Sequence, residues 1–300
     1  MSTSKKKVGQ NKGSIYQKNR AILKYSGSIL VERIIRTCYN ALLKSTPQKR
    51  LHYDLQRSSF VGKVELKEQE ALYRLELKNY ANPFFIRNRP SSDYDVLRQV
   101  IFEAEYETAC TALELNFQPG EPITIIDAGA NIGLTSRFFA ARFPLSVIYS
   151  LEPEPENFKM LLKNVGNFEN IKPLQKALSA ELGKRFDIGK STRDGADWAK
   201  TTQESPNGTI PGIILQELLN EGTGFFDLLK IDIEGAERFI FDSQVNQDFL
   251  DRTKVLVIEI HDEFNIRTSI YQILQKHGFS ILEQGELSLG INTKLKNSEP

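Results

Sequence analysis

The stretch Ile123-Thr124-Ile125-Ile126-Asp127-Ala128-Gly129-Ala130-Asn131-Ile132-Gly133 predicts a buried strand, a glycine-rich turn and the start of a helix. The apolar run from Ile123 to Ile126 is typical of a strand, and Gly129 permits turn conformations that other residues adopt only at a cost. Gly133 allows the next helix to lie close to the sheet. The first N–H groups of that helix lack partners within the helix, so they are available to a ligand. Such a unit predicts a nucleotide-type site without specifying the ligand.

The residues around this turn favour S-adenosylmethionine over a phosphate-bearing dinucleotide. A dinucleotide site normally has glycine at the middle position, where backbone approaches a pyrophosphate, but this chain has Asn131 there. Asp127 beside the turn would repel phosphate and suits an ammonium group. Glu152 ends the next apolar run, about 20 residues after the turn, where a carboxylate accepts both ribose hydroxyls. NAD also has a ribose diol, so it is the combination of residues that indicates S-adenosylmethionine.

The composition is that of an ordinary globular protein. The chain has 300 residues, of which 40% are hydrophobic and 26% are charged, which suits one large domain with an appendage or two small domains. Cys38 and Cys110 lie in partly apolar, helical contexts, so a disulfide is not expected, and no Cys/His cluster predicts zinc. No signal peptide or membrane-spanning stretch is evident. We therefore expect a cytoplasmic protein.

The first 50 residues are strongly basic. They contain twelve Lys and Arg and one acid, a net charge of +11, and because the whole chain carries +1, the remainder carries −10. Residues 1–19 are polar and predict disorder. Residues 21–44 predict a helix that either packs on the rest of the protein or a second subunit, or lies on an anionic membrane surface. One face of this helix would carry Leu23, Leu30, Ile34, Cys38 and Leu42.

From Ile123 onward, strands and helices alternate, which predicts an α/β fold with a parallel sheet and right-handed crossovers. Before this region we expect a hairpin over 61–77, a short strand over 84–87, and a helix over 94–115 that Ser92 caps with Asp95 as the capping-box acid. The predicted core strands are 123–128, 147–151, 172–178, 228–233 and 255–260. The predicted core helices are 134–143, 155–166, 213–221, 236–242 and 268–277. Two short strands, 280–284 and 290–294, follow, and residues 192–211 predict a loop.

Five segments of the chain resemble the FkbM-type methyltransferases, a branch of the class I S-adenosylmethionine-dependent enzymes. These segments, which occur in family order and near family spacing, are 127–133, 151–153, 176–178, 227–237 and 257–261. The Lys-x-Asp-x-Glu-Gly-x-Glu pattern from Lys230 to Glu237 is the most specific of them. Ser92 and Asp93, followed by an apolar helix and Tyr106, resemble the segment that leads into the family's domain. The resemblance covers residues 89–294 and nothing before Pro83.

The resemblance implies a Rossmann-like class I methyltransferase fold, with a mostly parallel seven-stranded sheet, helices on both faces and an antiparallel strand at the C-terminal end. It divides the chain into a basic N-terminal extension, residues 1–82, and a methyltransferase domain, residues 83–296. It also implies an O-methyltransferase that acts on a hydroxyl of a sugar in a polysaccharide, glycolipid or glycosylated natural product. Asp93 and Ala177 join the cofactor-binding candidates on the same ground. A glycolipid acceptor would suit a protein peripheral to the inner face of a membrane.

Acidic residues follow the predicted strands at their carboxyl ends, which is where open α/β sheets bind ligands. They are Asp127, Glu152, Asp232, Glu234 and Glu259, with His261 beside the last of them. Asp232 is a candidate for cofactor binding and for orienting the sulfonium or the acceptor hydroxyl. Lys230, on the same side of its strand, is expected to neutralise neighbouring acids, and Glu237 to stabilise a helix N-terminus.

The general base is left open between two residues. His261 has a pKa range that suits proton removal from an alcohol, but a structural role is equally consistent with its position. Glu259 orients the site or acts as the base itself. A further alternative is that Asp232, Glu259 and His261 hold a divalent cation, since oxygen-rich sites bind Mg²⁺.

The loop from Asp194 to Trp198 offers candidate contacts to the adenine. Asp197 would accept a hydrogen bond from the adenine amino group and Trp198 would stack on the ring, or the segment is a surface loop with an anchoring Trp. Two other functions stay open: a nucleic-acid methyltransferase that clamps phosphates with the basic leader, and a non-catalytic scaffold. The acidic remainder of the chain disfavours the first, and the intact turn residues and strand-end acids disfavour the second.

Overall fold

The computed structural model describes residues 46–117, 122–189, 201–221 and 224–296. The chain divides into two compact units, Met1–Asp54 and Leu55–Pro300, and the sheets and sites below belong to the second. The predicted helix over 21–44 and the loop with Asp197 and Trp198 lie outside the described residues. The division predicted between residues 82 and 83 stays a prediction. Within the described ranges, no helix combines the length and apolar character that a membrane crossing requires.

The described chain before the central sheet has three strands and three α-helices, and the first helix contains the boundary between residues 54 and 55. In chain order the elements are α1 (Pro47–Arg57), β1 (Val61–Lys67), β2 (Leu72–Leu77), β3 (Phe84–Arg87), α2 (Asp93–Leu97) and α3 (Glu107–Phe117). The three strands form an antiparallel sheet in the order β1-β2-β3. The predicted hairpin and the short strand after it are therefore confirmed.

The single helix predicted over residues 94–115 is wrong. Helix α2 continues as one π-helical turn, Arg98–Phe102, and the chain then turns at Ala104, which has φ +51°, before α3 begins. No Gly or Pro lies at the break, and the helical spacing of apolar residues continues across it. The sequence pattern therefore predicted one helix where the structure has two. The predicted capping box is wrong as well, because the Ser92 side chain makes no capping bond and Asp95 instead pairs with Arg89 at 2.6 Å.

The rest of the chain alternates strands and helices as predicted, except that, within the described residues, five strands follow one another from β6 to β10. The elements are β4 (Thr124–Ala128), α4 (Leu134–Arg142), β5 (Val147–Leu151), α5 (Pro155–Val165), β6 (Ile171–Leu174), β7 (Ala177–Leu178), β8 (Arg185–Ile188), β9 (Thr202–Glu204), β10 (Ile210–Ile213), α6 (Leu215–Glu221), β11 (Phe226–Ile231), α7 (Glu237–Ile240), β12 (Thr253–Glu259), α8 (Arg267–Lys276), β13 (Phe279–Gln284), β14 (Leu287–Asn292) and α9 (Thr293–Lys296).

The central sheet has seven strands in the order β13-β14-β12-β11-β4-β5-β6. Strands β4, β5, β6, β11 and β12 run parallel to one another, while β14 is antiparallel to both of its neighbours. This is the mostly parallel sheet with one antiparallel strand near the C-terminus that was predicted. Because the parallel strands are covered on both faces, Ile125, Leu229 and Leu256 are fully buried.

A second, four-stranded sheet was not predicted. Its order is β7-β10-β8-β9, so the strand expected over 172–178 is split: β6 stays in the central sheet, and β7 pairs with β10 instead. Residues 202–204 and 210–213, assigned to a loop and a helix start, are strands of this sheet. They are short and poor in apolar residues, which is why periodicity did not reveal them.

Candidate active site

The turn after β4 is built on glycines that no other residue could replace without strain. Gly129 has φ +83°, and a Cβ added there would lie 1.7 Å from the carbonyl oxygen of Asp232. Gly133 has φ +84°, and a Cβ there would lie 3.1 Å from a side-chain carbon of Val165 in α5. The first glycine therefore lets two strand ends meet, while the second lets two helices pack. Gly133 does not line the site, although it was a candidate for cofactor binding.

Glu152 stands at the end of β5, as predicted, with its carboxylate fixed by backbone. One oxygen accepts a hydrogen bond from the N–H of Asn131 and the other from the N–H of Glu154, both at 2.8 Å. Burial raises the pKa of Glu152 to about 7, although these two N–H groups oppose the rise. Asn131 adopts φ +49°, a left-handed conformation that Asn tolerates better than most residues. The backbone of Asn131, at the middle of the turn, is thus hydrogen-bonded directly to Glu152 at the end of the next strand.

A cleft opens at the carboxyl edge of the central sheet, and we call it the strand-end cleft. Its lining includes five candidate cofactor residues, namely Gly129, Asn131, Glu152, Ala177 and Asp232. Glu154, which caps α5 by accepting from the N–H of Asn157 at 2.7 Å, lines it as well. Five of the residues that the sequence proposed for cofactor binding therefore lie together in one cleft.

Asp127 does not reach the cleft. Its side chain is fully buried, and one oxygen accepts a hydrogen bond from Ser136 at 2.6 Å. The other oxygen lies 3.3 Å from the ammonium of Lys230. Asp127 therefore positions Lys230 rather than meeting a ligand's ammonium group, contrary to its predicted role.

Lys230 is a buried cation beneath the turn. Its ammonium donates to the carbonyl oxygen of Gly129 at 2.7 Å and lies 3.6 Å from a carboxylate oxygen of Asp232. Burial alone would lower the pKa of Lys230, but the adjacent Asp127 carboxylate outweighs this and keeps the pKa above its usual range. The predicted neutralising role is in accord with these contacts.

Asp93 also lies outside the cleft lining. Its buried carboxylate is held by the guanidinium of Arg87 at 2.7 Å and by the backbone N–H of Arg87 at 2.7 Å. The same guanidinium donates to Asn157, a cleft residue, at 2.7 Å. Asp93 thus contacts the site only through Arg87, and it is a positioning residue in this geometry.

A second compartment, which we call the acidic cavity, adjoins the cleft and has a volume of about 330 Å³. It shares Gly129, Asn131, Asp232 and Glu234 with the strand-end cleft. Its other charged or polar lining residues are Gln99, Glu105, Tyr106, Thr135, Lys230, Glu259 and Glu286. Glu105 and Glu286 were not predicted as site residues, because they come from the bend before α3 and the turn after β13, which carry no motif. Tyr106 belongs to the segment that resembles the entry to the family's domain, but the sequence assigned it no role in the site.

His261 is buried behind the acidic cavity and lines neither compartment. Its ring nitrogens lie 3.3 Å from Glu234 and 3.3 Å from Glu237. Burial would lower the pKa of His261, but these two carboxylates raise it to about 11. A protonated His261 in this position fixes the carboxylates of Glu234 and Glu237 by charge attraction. It does not take a proton from an alcohol near neutral pH, so the geometry counts against His261 as the general base.

Glu259 is the carboxylate best placed to exchange a proton. It lies at the end of β12, lines the acidic cavity and is half-buried. Burial, and next the charge of Asp232, raise the pKa of Glu259 to about 8, while His261 at 3.9 Å opposes the rise. Of the two bases that the sequence left open, the structure favours Glu259.

The structure also suggests a set of possible metal ligands, which differs by one residue from the set predicted from the sequence. Asp232, Glu234 and His261 have potential ligand atoms that all lie within 4.8 Å of one another, whereas the predicted set had Glu259 in place of Glu234. A cation bound there would have to displace the proton of His261. Because that proton is held by two carboxylates, the arrangement fits an ion-paired imidazolium better than a metal ligand.

The topology of the sheet and the glycine turn with its strand-end acids together define a class I methyltransferase. The profile of the Methyltransferase FkbM domain matches residues 127–281, more than half of the chain. The chain therefore belongs to the FkbM methyltransferase family, as its sequence pattern predicted, and is a methyltransferase.

Named relatives agree with this assignment. Methyltransferase sdnD of Sordaria araneosa is 28% identical over 54% of this chain and 75% of its own length. Methyltransferase 1 of Beauveria bassiana is 25% identical over 52% of this chain and 72% of its own length.

Two solved structures are among those similar to this chain. The SAM dependent methyltransferase from Agrobacterium tumefaciens has a TM-score of 0.42 and 10% identity, over 74% of this chain and 71% of that one. SMU.1697c from Streptococcus mutans, in complex with SAH, has a TM-score of 0.35 and 11% identity, over 62% of this chain and 96% of that one.

Proposed function

We propose that this methyltransferase uses S-adenosylmethionine to methylate a hydroxyl group on a sugar of a polysaccharide, glycolipid or glycosylated natural product. The observation that carries the proposal is the half-buried carboxylate of Glu259 in a cavity that adjoins the strand-end cleft through Gly129, Asn131 and Asp232. One compartment suits a methyl donor and the other an acceptor. The choice of a sugar rests on the resemblance to FkbM-type sequences.

The residues of the strand-end cleft fit S-adenosylmethionine. Each carboxylate oxygen of Glu152 takes one backbone N–H and keeps a further lone pair, which suits a ribose diol. Among the lining residues that the structure describes, Lys176 is the only base beside Glu152, Glu154, Asp232 and Glu234, a balance that suits a ligand without phosphate. When bound, S-adenosylmethionine supplies a methyl group activated by the positive charge on its sulfur.

The contribution of the chain is to place the acceptor and to take its proton. Glu259 has a pKa raised to about 8, so it exchanges protons close to neutral pH, as a base toward an alcohol should. Asp232 lies at the junction of the two compartments and orients the hydroxyl. His261 acts through Glu234, whose carboxylate it holds at 3.3 Å.

Cofactor choice is tested by calorimetric titration of the full chain with S-adenosylhomocysteine. We expect binding, and we expect Glu152→Ala to weaken it by about 1.5–3 kcal/mol, because the ribose loses a charged acceptor. Glu169→Ala is the matched control, since Glu169 is exposed and precedes β6 at the opposite edge of the sheet. Thermal stabilisation by NAD, with none by S-adenosylhomocysteine, would refute the proposal.

The acceptor class is tested with methyl-labelled S-adenosylmethionine and a cell-envelope carbohydrate extract. Label is expected in O-methyl groups of the carbohydrate, identified after hydrolysis to monosaccharides. Label that enters RNA or DNA instead, in a parallel incubation with total nucleic acid, would replace the sugar by a nucleic acid as acceptor.

A further inference from the structure

The acidic cavity holds more negative charge than proton removal requires. Five carboxylates line it, those of Glu105, Asp232, Glu234, Glu259 and Glu286, and Lys230 is the only base among the lining residues. That base is already engaged, because its ammonium contacts Asp127, Asp232 and the carbonyl oxygen of Gly129. The described lining therefore offers an acceptor several carboxylates and no free cation.

Neither the protein nor the proposed cofactor balances this charge. Counting Lys230 and His261 against the five carboxylates leaves a formal charge of −3. S-adenosylmethionine has a sulfonium, an ammonium and a carboxylate, so even its full net positive charge would leave two carboxylates uncompensated. The pKa values of Glu105, Glu234 and Glu259 are all raised, in each case by burial first, which shows that the ionised forms are poorly accommodated.

Glu105, Glu286 and Tyr106 line the cavity with side chains that have no hydrogen-bond or ion-pair partner among the described residues. The side chains of Glu105 and Glu286 make no hydrogen bond or ion pair within the described parts of the chain, and both face the cavity. Tyr106 is 3% exposed and also lines the cavity, yet its hydroxyl has no hydrogen-bond partner among the described residues. The hydroxyl is not among the fully enclosed unpaired polar atoms, so it opens onto the cavity, where a polar group of a ligand would pair with it.

We propose that the acidic cavity takes an acceptor that carries an ammonium group near its reacting hydroxyl, as an amino sugar does, with Glu105 and Glu286 receiving the cation and Tyr106 a neighbouring hydroxyl. The inference rests on the proposed function and narrows its substrate class. A neutral sugar would offer no counter-charge to Glu105, which is half-buried, or to Glu286, which is exposed. A phosphate-rich acceptor would meet repulsion from all five acids, which favours an amino sugar over a nucleic acid.

The experiment compares two probes with the same sugar skeleton, one carrying ammonium groups and the other carrying neutral acetamides in their place. Kanamycin A, an amino sugar with several ammonium groups, and its fully N-acetylated derivative are titrated into the full chain saturated with S-adenosylhomocysteine, with EDTA present. We expect the charged probe to bind at least about tenfold more tightly. This preference should shrink several-fold in Glu105→Gln and in Glu286→Gln, and also at high salt, because these partly exposed charges are screened. Tyr106→Phe should weaken both probes about equally, since it removes a neutral donor.

Controls separate this inference from the proposed function. Glu169→Gln makes the same charge change outside the cavity and should keep the full preference. Unchanged S-adenosylhomocysteine affinity in Glu105→Gln and Glu286→Gln shows that the proteins are folded and the cleft is intact. Equal or tighter binding of the N-acetylated probe, or a cation preference that needs added Mg²⁺, would overturn the inference while leaving methyl transfer to sugars standing. Failure to bind S-adenosylhomocysteine at all would overturn the proposed function itself.

Discussion

A carboxylate that titrates near pH 8 makes activity sensitive to pH in a defined direction. Glu259 must be ionised to accept a proton, and burial and Asp232 raise its pKa to about 8. The methyl-transfer rate should therefore rise as pH increases through about 8 and then level off. In Glu259→Gln the rate should fall by about 10²–10⁴-fold, and this limb of the profile should vanish. Rates under saturating donor, measured across this range, give the profile. The same limb in Glu259→Gln would assign the proton to another group.

His261 makes a prediction about stability rather than rate. Its pKa is raised to about 11 by Glu234 and Glu237 against the effect of burial, while in the unfolded chain it is about 6.5. The native state therefore binds the extra proton between these values. The stabilisation is complete below about pH 6.5 and is lost as pH rises toward 11, at up to about 1.4 kcal/mol per pH unit.

In His261→Gln this slope of the unfolding free energy against pH should flatten. Glu234 and Glu259 also have raised pKa values, so their contribution falls with pH in the same direction. Because His261 opposes the rise in the pKa of both carboxylates, the comparison with the wild type reports His261 together with its effect on them. Urea unfolding at several pH values measures the slope, and an identical slope in both proteins would mean that His261 is neutral in the native state.

At the scale of elements, helix α4 is joined to the turn before β3 by one buried cation. Arg137 donates to the carbonyl oxygens of Asn82 and Pro83, both at 2.6 Å, and its guanidinium lies 3.4 Å from the ring centroid of Phe84. Arg137→Met should lower the free energy of unfolding by about 2–4 kcal/mol, because it leaves two half-buried carbonyl oxygens without their donor. Arg142→Met, at the more exposed end of the same helix, should cost less than about 1 kcal/mol. Equal losses in denaturant unfolding would contradict this account.

The sequence predicted the elements whose signals are local. The central strands, the glycine turn and Glu152 follow from apolar runs and motif residues that are adjacent in the chain. The break at Ala104 escaped prediction because nothing local marks it, and it is what carries Glu105 and Tyr106 to the acidic cavity. The charge state of His261 could not be predicted from the sequence either. It depends on the contact with Glu237 and on burial, and both arise only when the chain folds.

At the scale of the whole molecule, charge is divided between the two parts of the chain. The first 50 residues carry +11 and the remainder −10, although the total is only +1. The site residues that we assign all lie in the acidic part, so the basic leader is expected to be dispensable for cofactor binding. We propose that it serves location instead, by attracting the protein to an anionic membrane face where a glycolipid acceptor is made.

Liposome co-sedimentation tests this proposal directly. The full chain should pellet with anionic vesicles at low salt and be released at high salt, because each Lys or Arg near the surface contributes about 1 kcal/mol that is screened by ions. Gln in place of Lys5, Lys6, Lys7, Lys12 and Lys18 should abolish most of the binding, and so should a chain that begins at Thr46, just before helix α1. Both altered proteins should bind S-adenosylhomocysteine like the wild type, which serves as the control for folding. Equal pelleting of all three proteins would remove the membrane from consideration, and the leader would then be a docking or oligomerisation segment.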